Sequence, residues 1–291
     1  MNFEKLTEQN FMNIDFARFL SPPTKIIKKS VTAEGGRPRP SVAVTQLCIM
    51  LQVLYEKKIS HEALLTKNPT PYIIGVNGSV SSGKSYTAKK LRYRLKHFNP
   101  HLNIGLLSTD NFLYSNEILK KNGIMEQKGF TPSYDWKSLF ITLEKIKTNK
   151  KVKIPYYSQD LSDIDSTKTV ILPANLNILI IEGINLLKTC KTPLLLSDFI
   201  DYSIYIETSE TNLKSWFYKR LLKKKKLWKE KKTHQTLTSK NYKDFYEWQN
   251  NIWDNINRPN LVRNIYPFRY RSDLIIQKDS NHNMIYFEFK L

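Results

Sequence analysis

The 291-residue sequence predicts an α/β fold, a mostly parallel sheet flanked by helices, and three features predict it. Residues 72–76, Tyr-Ile-Ile-Gly-Val, form a short apolar run of buried-strand length. That run enters a glycine-bounded turn and then a helical pattern that reaches Leu91 and Leu95. Further strand-like runs alternate with helix-length segments down the rest of the chain, the order that generates a parallel sheet. With 41% hydrophobic and 12% aromatic residues the chain can bury a large core, so one domain with an attached helical extension is expected rather than two independent units.

Taken in order, residues 1–68 read as an amino-terminal helical extension. Polar, helix-like stretches at 7–20 and 42–58 flank a Pro-, Gly- and Arg/Lys-rich segment, 21–40, that reads as a loop. The core, 69–291, opens with the strand already described. Buried strands are expected at 102–107, 178–181 and 202–206, helices at 136–148 and 208–229, and late strands at 274–277 and 284–289. The tract Lys223-Lys224-Lys225-Lys226 falls inside the second helix and reads as a solvated face.

Composition narrows the function classes. A net charge of +20 suits a polyphosphate, a nucleic acid or an anionic surface, and it equally suits a lysine bias spread over the chain with no dedicated binding face. No apolar run approaches the ~20 residues of a membrane-spanning helix. Glu4 and Glu8 break the basic-then-apolar order of a secretory signal, so a cytoplasmic protein is expected. Cys48 and Cys190 stand far apart without CxxC spacing, which argues against a disulfide framework or a zinc site and leaves both as buried thiols.

The turn after the first core strand is Gly78-Ser79-Val80-Ser81-Ser82-Gly83-Lys84-Ser85, a full match to GxxxxGK[ST] between a strand and a helix. Gly78 and Gly83 allow backbone angles that line successive amide N–H groups around phosphate oxygens at the positive end of the following helix. Lys84 adds a charge at the β- and γ-phosphates, and Ser85 offers its hydroxyl to the Mg²⁺ that bridges them. The fold is therefore expected to be that of a P-loop NTPase, with ATP as ligand. Asp110 follows the expected strand at 102–107, at the carboxyl end where open α/β sheets bind ligands. It suits a base that accepts a proton from an attacking alcohol, although an aspartate there also serves as a helix cap or turn residue.

Beyond the loop, YIIGVNGSVSSGKSYTAKKL and STDNFLYSNEILKKNGIMEQKGFTPSYD resemble type I pantothenate kinase, and so do VKIPYYSQDLSDI, ILIIEGINLL, SDFIDYSIYIE and INRPNLVRNIYPFRYRSDLII. The resemblance runs in order over roughly residues 71–282 and implies a homodimeric P-loop kinase. It also implies transfer of the γ-phosphoryl group of MgATP to the terminal hydroxyl of pantothenate, and inhibition by coenzyme A. Asp110 then falls on the catalytic aspartate, and Glu182 on a second acidic residue near the metal. Lys278 and His282 fall beside the nucleotide base, and Tyr157, Arg220 and Asn257 at the pantothenate site.

The residues themselves allow part of this. A glutamate ending the strand at 178–181 faces the phosphate side, where it can hold metal-bound water or cap a helix. Arg220 sits one helical turn from Trp216 and Phe217, where its guanidinium can meet a substrate carboxylate or the migrating phosphoryl group, or stay solvated among lysines. Asn257 offers a donor and an acceptor, or a turn before Pro259.

Departures from the family cluster at the acceptor. Gln159 and Ser162 replace a histidine and a tyrosine, Phe217 replaces a tyrosine, and Asn111 replaces the glycine after Asp110. His234 and Leu237 stand near its aromatic positions, and Lys89 replaces an arginine that meets coenzyme A. Two other readings remain at this point: a kinase of another small alcohol such as a nucleoside, and a basic, nucleotide-binding, RNA-associated protein. The carboxylates beside the phosphate loop argue against a pure nucleic-acid module.

Overall fold

A computed structural model describes residues 3–15, 40–66, 68–189 and 194–290; most of the expected loop at 21–40, and Cys190, lie outside them. The strands are β1 (Phe3–Thr7), β2 (Tyr72–Gly78), β3 (Ile104–Ser108), β4 (Val152–Ser158), β5 (Asp163–Leu172), β6 (Ile178–Gly183), β7 (Tyr202–Glu207), β8 (Leu274–Lys278) and β9 (Met284–Lys290). The helices are α1 (Glu8–Met12), α2 (Pro40–Glu62), α3 (Lys84–Phe98), α4 (Asn116–Lys121), α5 (Trp136–Lys147), α6 (Glu210–Glu230), α7 (Gln235–Thr238) and α8 (Tyr242–Ile252).

The main sheet has the order β1-β9-β8-β7-β2-β6-β3, while β4 and β5 form a separate hairpin. Strands β8, β7, β2, β6 and β3 run parallel, and β9 and β1 are antiparallel at one edge. The parallel strands are apolar on both faces because helices cover both. Ile74, Val76, Ile180 and Ile204 pack with α1, α2 and α3. Ile73, Leu179, Ile181 and Tyr205 face the other way, toward α5, α6 and α8. Asp201 fastens the amino-terminal rim, accepting from Ile73 N at 2.6 Å and pairing with Lys58 at 2.9 Å and Lys147 at 3.4 Å.

The register sets up the opposite rim. Glu182 of β6 lies between Val76 of β2 and Ser108 of β3, and Gly78 pairs with Ile206 of β7. The carboxyl ends that carry the phosphate loop, Asp110 and Glu182 thus converge, as in open α/β sheets generally.

Three expectations change. The extension read as helical opens with a strand, β1, whose Leu6 pairs with Phe287 and adds to the core; the helix read over 7–20 follows as α1, which Thr7 Oγ1 caps by accepting from Asn10 N at 3.2 Å, and 16–20 lie outside the described residues. The β4–β5 hairpin had no counterpart among the expected strands: Pro155 interrupts a run whose alternation, Val152 and Ile154 buried against Lys153 and Pro155 exposed, is a half-buried strand. The lysine tract is not one solvated face, since Lys223 and Lys226 are exposed while Lys224 and Lys225 are half-buried. Cys48 is buried, as expected. Among the described residues no helix is long and apolar enough to cross a membrane.

Candidate active site

The phosphate loop takes its shape from two glycines and a buried lysine. Gly78 has φ 153°, and a Cβ there would lie 2.9 Å from Ile206 O, so only glycine passes β7 in this conformation. Gly83 has φ 85° and leads into α3. Lys278 is buried and donates to Ser82 O at 3.3 Å and Thr87 Oγ1 at 3.2 Å, supporting the loop from β8. Burial and the nearby Lys90 lower its pKa to about 8. Ser79 and Ser82 are buried and Val80 packs against the core, whereas Ser81, with φ 66°, and Lys84 are partly exposed. The hydroxyls of Ser81 and Ser82 have no protein hydrogen-bond partner, which suits a polyanion held in this turn.

A cavity of about 400 Å³ adjoins the loop, lined by Gly83, Tyr86, Lys278 and His282 and closed by Ala43 and Val44 of α2. His282 stacks on Trp216 with ring centroids 3.7 Å apart, and burial with Lys278 nearby lowers its pKa. An aromatic shelf beside an apolar wall suits a planar base.

On the other side of the loop, Ser85 Oγ donates to Glu182 Oε2 at 3.0 Å. Glu182 is buried, and no ion pair neutralises it among the described residues. A hydroxyl beside an uncompensated carboxylate is a hard oxygen pair of the kind that fits Mg²⁺, which keeps waters and phosphate oxygens as its other ligands. Among the described residues no cluster of three or more His, Cys, Asp or Glu offers a complete cage.

Asp110 stands in the turn after β3, where Ser108 Oγ accepts from its backbone N at 3.3 Å. That turn packs against Gly183, where a Cβ would overlap the Thr109 side chain, so glycine at the end of β6 permits Asp110 to stand beside Glu182. Burial and then Glu182 raise the pKa of Asp110, while Lys84, Arg220 and Lys128 pull it down. Asn111 keeps an ordinary negative φ, and its Oδ1 accepts from Tyr157 N at 3.1 Å, tying the hairpin to this turn.

Beyond Asp110 stand side chains of the hairpin and α6. Gln159 Nε2 donates to Asp110 Oδ2 at 3.4 Å. Tyr157 is half-buried, with its hydroxyl pKa raised by burial and by Asp110. Phe217 is buried against Trp253, ring centroids 5.8 Å apart, and the Arg220 guanidinium lies 5.9 Å from the Phe217 ring. Asn257 makes no cap or turn bond; it is buried in a π-helical turn that starts at Trp253, and its Nδ2 has no protein partner. Glu182, Lys84, Arg220 and Gln159 thus lie near Asp110 on one side of the loop, and Lys278 and His282 line the cavity on the other.

Two cations in this cleft escaped the motif search because each is one of 46 Lys and Arg residues. Lys128 reaches Asn116 Oδ1 at 2.5 Å and the Ser162 carbonyl, with its ammonium 5.4 Å from the Tyr157 ring. Lys224 donates to Gln159 O at 2.5 Å. Lys224 lies in a helix and Lys128 in a turn, and neither position carries a motif.

The family model of the phosphoribulokinase/uridine kinase family matches residues 73–226. A pantothenate kinase of Lactococcus lactis subsp. lactis is 38% identical over 221 residues, 75% of this chain and 72% of the relative. A pantothenate kinase of Shewanella baltica is 37% identical over 254 residues, 82% of this chain and 78% of the relative. Among solved structures, D-glycerate 3-kinase from Cryptococcus neoformans superposes with a TM-score of 0.55 at 13% identity, covering 86% of this chain and 98% of that one, a likeness of fold. Glycine-shaped phosphate loop, strand order and sequence matches agree: the chain belongs to the phosphoribulokinase/uridine kinase family.

Proposed function

We propose that this protein is a pantothenate kinase that transfers the γ-phosphoryl group of ATP to the terminal hydroxyl of pantothenate, giving 4'-phosphopantothenate, the first step of coenzyme A biosynthesis. The observation that carries the reading is Asp110, a carboxylate poised between the phosphate loop and the hairpin. The names of the chain's relatives supply the acceptor.

In this reading the loop amides from Gly78 to Ser85 and the Lys84 ammonium cradle the β- and γ-phosphates. The adenine base enters the cavity beside His282. Ser85 and Glu182 hold Mg²⁺, which when bound offsets the negative charge of the phosphate oxygens. Asp110 takes the proton of the acceptor hydroxyl as its oxygen attacks in line with the departing ADP. Arg220 steadies the charge of the group in flight, and Tyr157, Gln159, Phe217 and Asn257 hold the acceptor. The homodimer belongs to the same reading, as does coenzyme A as an inhibitor whose action is weakened or lost, because Lys89 cannot make an arginine's two-pronged contact.

The test is ATP-dependent phosphorylation of pantothenate by the purified protein with Mg²⁺, product detected by mass, with Asp110→Asn as control. The expected result is phosphopantothenate from the wild type and a loss on the order of a hundredfold or more in the variant, the scale set by general-base catalysis. Folded, ATP-binding protein that forms no product sinks the acceptor assignment. A second reading, kinase of another small alcohol, draws support from Gln159 and Ser162 in the acceptor wall; the same assay with nucleosides and other hydroxyl compounds separates the two.

A further inference from the structure

Cations outnumber carboxylates around the acceptor wall. Arg220 and Lys224 project from α6, and Lys128 from the loop after α4. On the hairpin side Asp160 is already paired with Lys231 at 2.5 Å, and Asp163 accepts from Asn116 N and its own neighbour Ile164 N at 2.9 and 2.8 Å. The charge of Asp163 acts chiefly on Lys128, and Asp110 and Glu182 lie toward the phosphate loop. Among the described residues Lys224 has no carboxylate within ion-pair distance.

Lys224 is nevertheless held in place. Its Nζ donates to Gln159 O at 2.5 Å and to Ser162 Oγ at 3.4 Å, and its ammonium lies 5.8 Å from the Trp228 ring. Trp228 is fixed in turn, donating through Nε1 to Asp160 O at 2.9 Å. An ammonium has three donors, and these contacts leave one for a ligand. Burial and the neighbouring Arg220 bring its pKa down to about 8, so a half-buried charge here awaits an anion that would stabilise it.

Gln159 measures the separation. Its side-chain amide meets Asp110 Oδ2 at 3.4 Å, while its own carbonyl meets Lys224 at 2.5 Å. A molecule whose hydroxyl lies at Asp110 and whose far end carries an anion comes within reach of the same two groups, which Gln159 bridges from its side-chain amide to its backbone carbonyl. Pantothenate has that form, a terminal hydroxyl and a terminal carboxylate joined by an amide-containing chain.

We propose that Lys224 is a specificity-determining residue that binds the carboxylate of the acceptor through the third donor of its ammonium, selecting anionic over neutral alcohols. The proposal rests on the pantothenate kinase reading above. It is tested with the full-length protein, MgATP and two acceptors: pantothenate, and pantothenol, in which a hydroxymethyl group replaces the carboxylate.

For Lys224→Met the expected KM for pantothenate rises about tenfold while kcat stays within about twofold, the loss expected for one hydrogen bond to a charged group. The KM for pantothenol stays at the wild-type value, and Lys224→Arg, which keeps the charge, restores most of the affinity for pantothenate. Equal changes of KM for both acceptors, or a fall in kcat with KM unchanged, overturn the assignment while leaving the kinase reading standing. Wild-type protein that phosphorylates neither compound overturns both. Thermal denaturation of each variant separates binding from folding: a melting temperature at the wild-type value with no KM difference counts against the proposal.

Discussion

At Asp110, burial and Glu182 favour the protonated acid, while Lys84, Arg220 and Lys128 favour the carboxylate. A base must be ionised to take a proton, so kcat/KM is expected to fall as pH drops through a pKa raised above the ordinary aspartate range. Lys128→Met removes a charge that stabilises the carboxylate and is expected to move this acid limb to higher pH; pH–rate profiles of the two proteins check it, and a limb that stays put would exclude an electrostatic role for Lys128. The strand-end positions of Asp110, Glu182 and the loop from Gly78 to Ser85 were legible in the sequence, while the roles given to the two carboxylates leaned on the resemblance. Lys128 and Lys224 were not, because their partners Ser162 and Gln159 lie 34 and 65 positions away and become neighbours only after the hairpin docks. Asn257 shows the converse: its place before Pro259 suggested a turn, whereas the chain continues through a π-helical stretch and the amide keeps a free donor.

Among the elements, the end of β6 holds the narrowest tolerance. Gly183 lets Thr109 pack directly on the strand, and the turn carrying Asp110 follows from that contact. Gly183→Ala is expected to push the turn away and lower kcat by up to about a hundredfold, the scale of an ångström-sized misplacement, while ATP affinity changes little. Steady-state kinetics beside a nucleotide-binding titration check this; unchanged kcat would mean that the turn adapts without cost. The parallel strands were readable because burial on both faces makes them continuous apolar runs. The hairpin was not, since Pro155 interrupts the half-buried alternation of β4 and β5 is exposed from Ser166 to Thr169. Strand β1 was missed for a related reason: Phe3–Thr7 has no strand signature of its own and is defined by its partner β9.

For the whole molecule, the two cores differ in what they secure. One face of the sheet, with α5, α6 and α8, carries Phe217 and the helix that bears Arg220 and Lys224, and the other, with α1, α2 and α3, backs the phosphate loop. Phe11 is fully buried in the second core, stacked on Phe287 with ring centroids 4.0 Å apart. Phe11→Ala is expected to cost about 3–5 kcal/mol of stability, as for other buried aromatic truncations, read by denaturant unfolding. A loss below 1 kcal/mol would mean that the amino-terminal strand and helix are dispensable to the core. The charge of +20 gave little guidance at this scale, since lysines act in unlike ways: Lys58 and Lys147 clamp Asp201, Lys278 supports the loop, and Lys225 donates to Lys240 O at 2.6 Å. The hairpin, finally, shares no ladder with the main sheet and is fastened near the site by side chains, among them Asn111 to Tyr157 N and Lys224 to Gln159 O. Held there by side chains, the hairpin can change its sequence without disturbing a main-sheet ladder, the kind of separation that lets one scaffold host different sites.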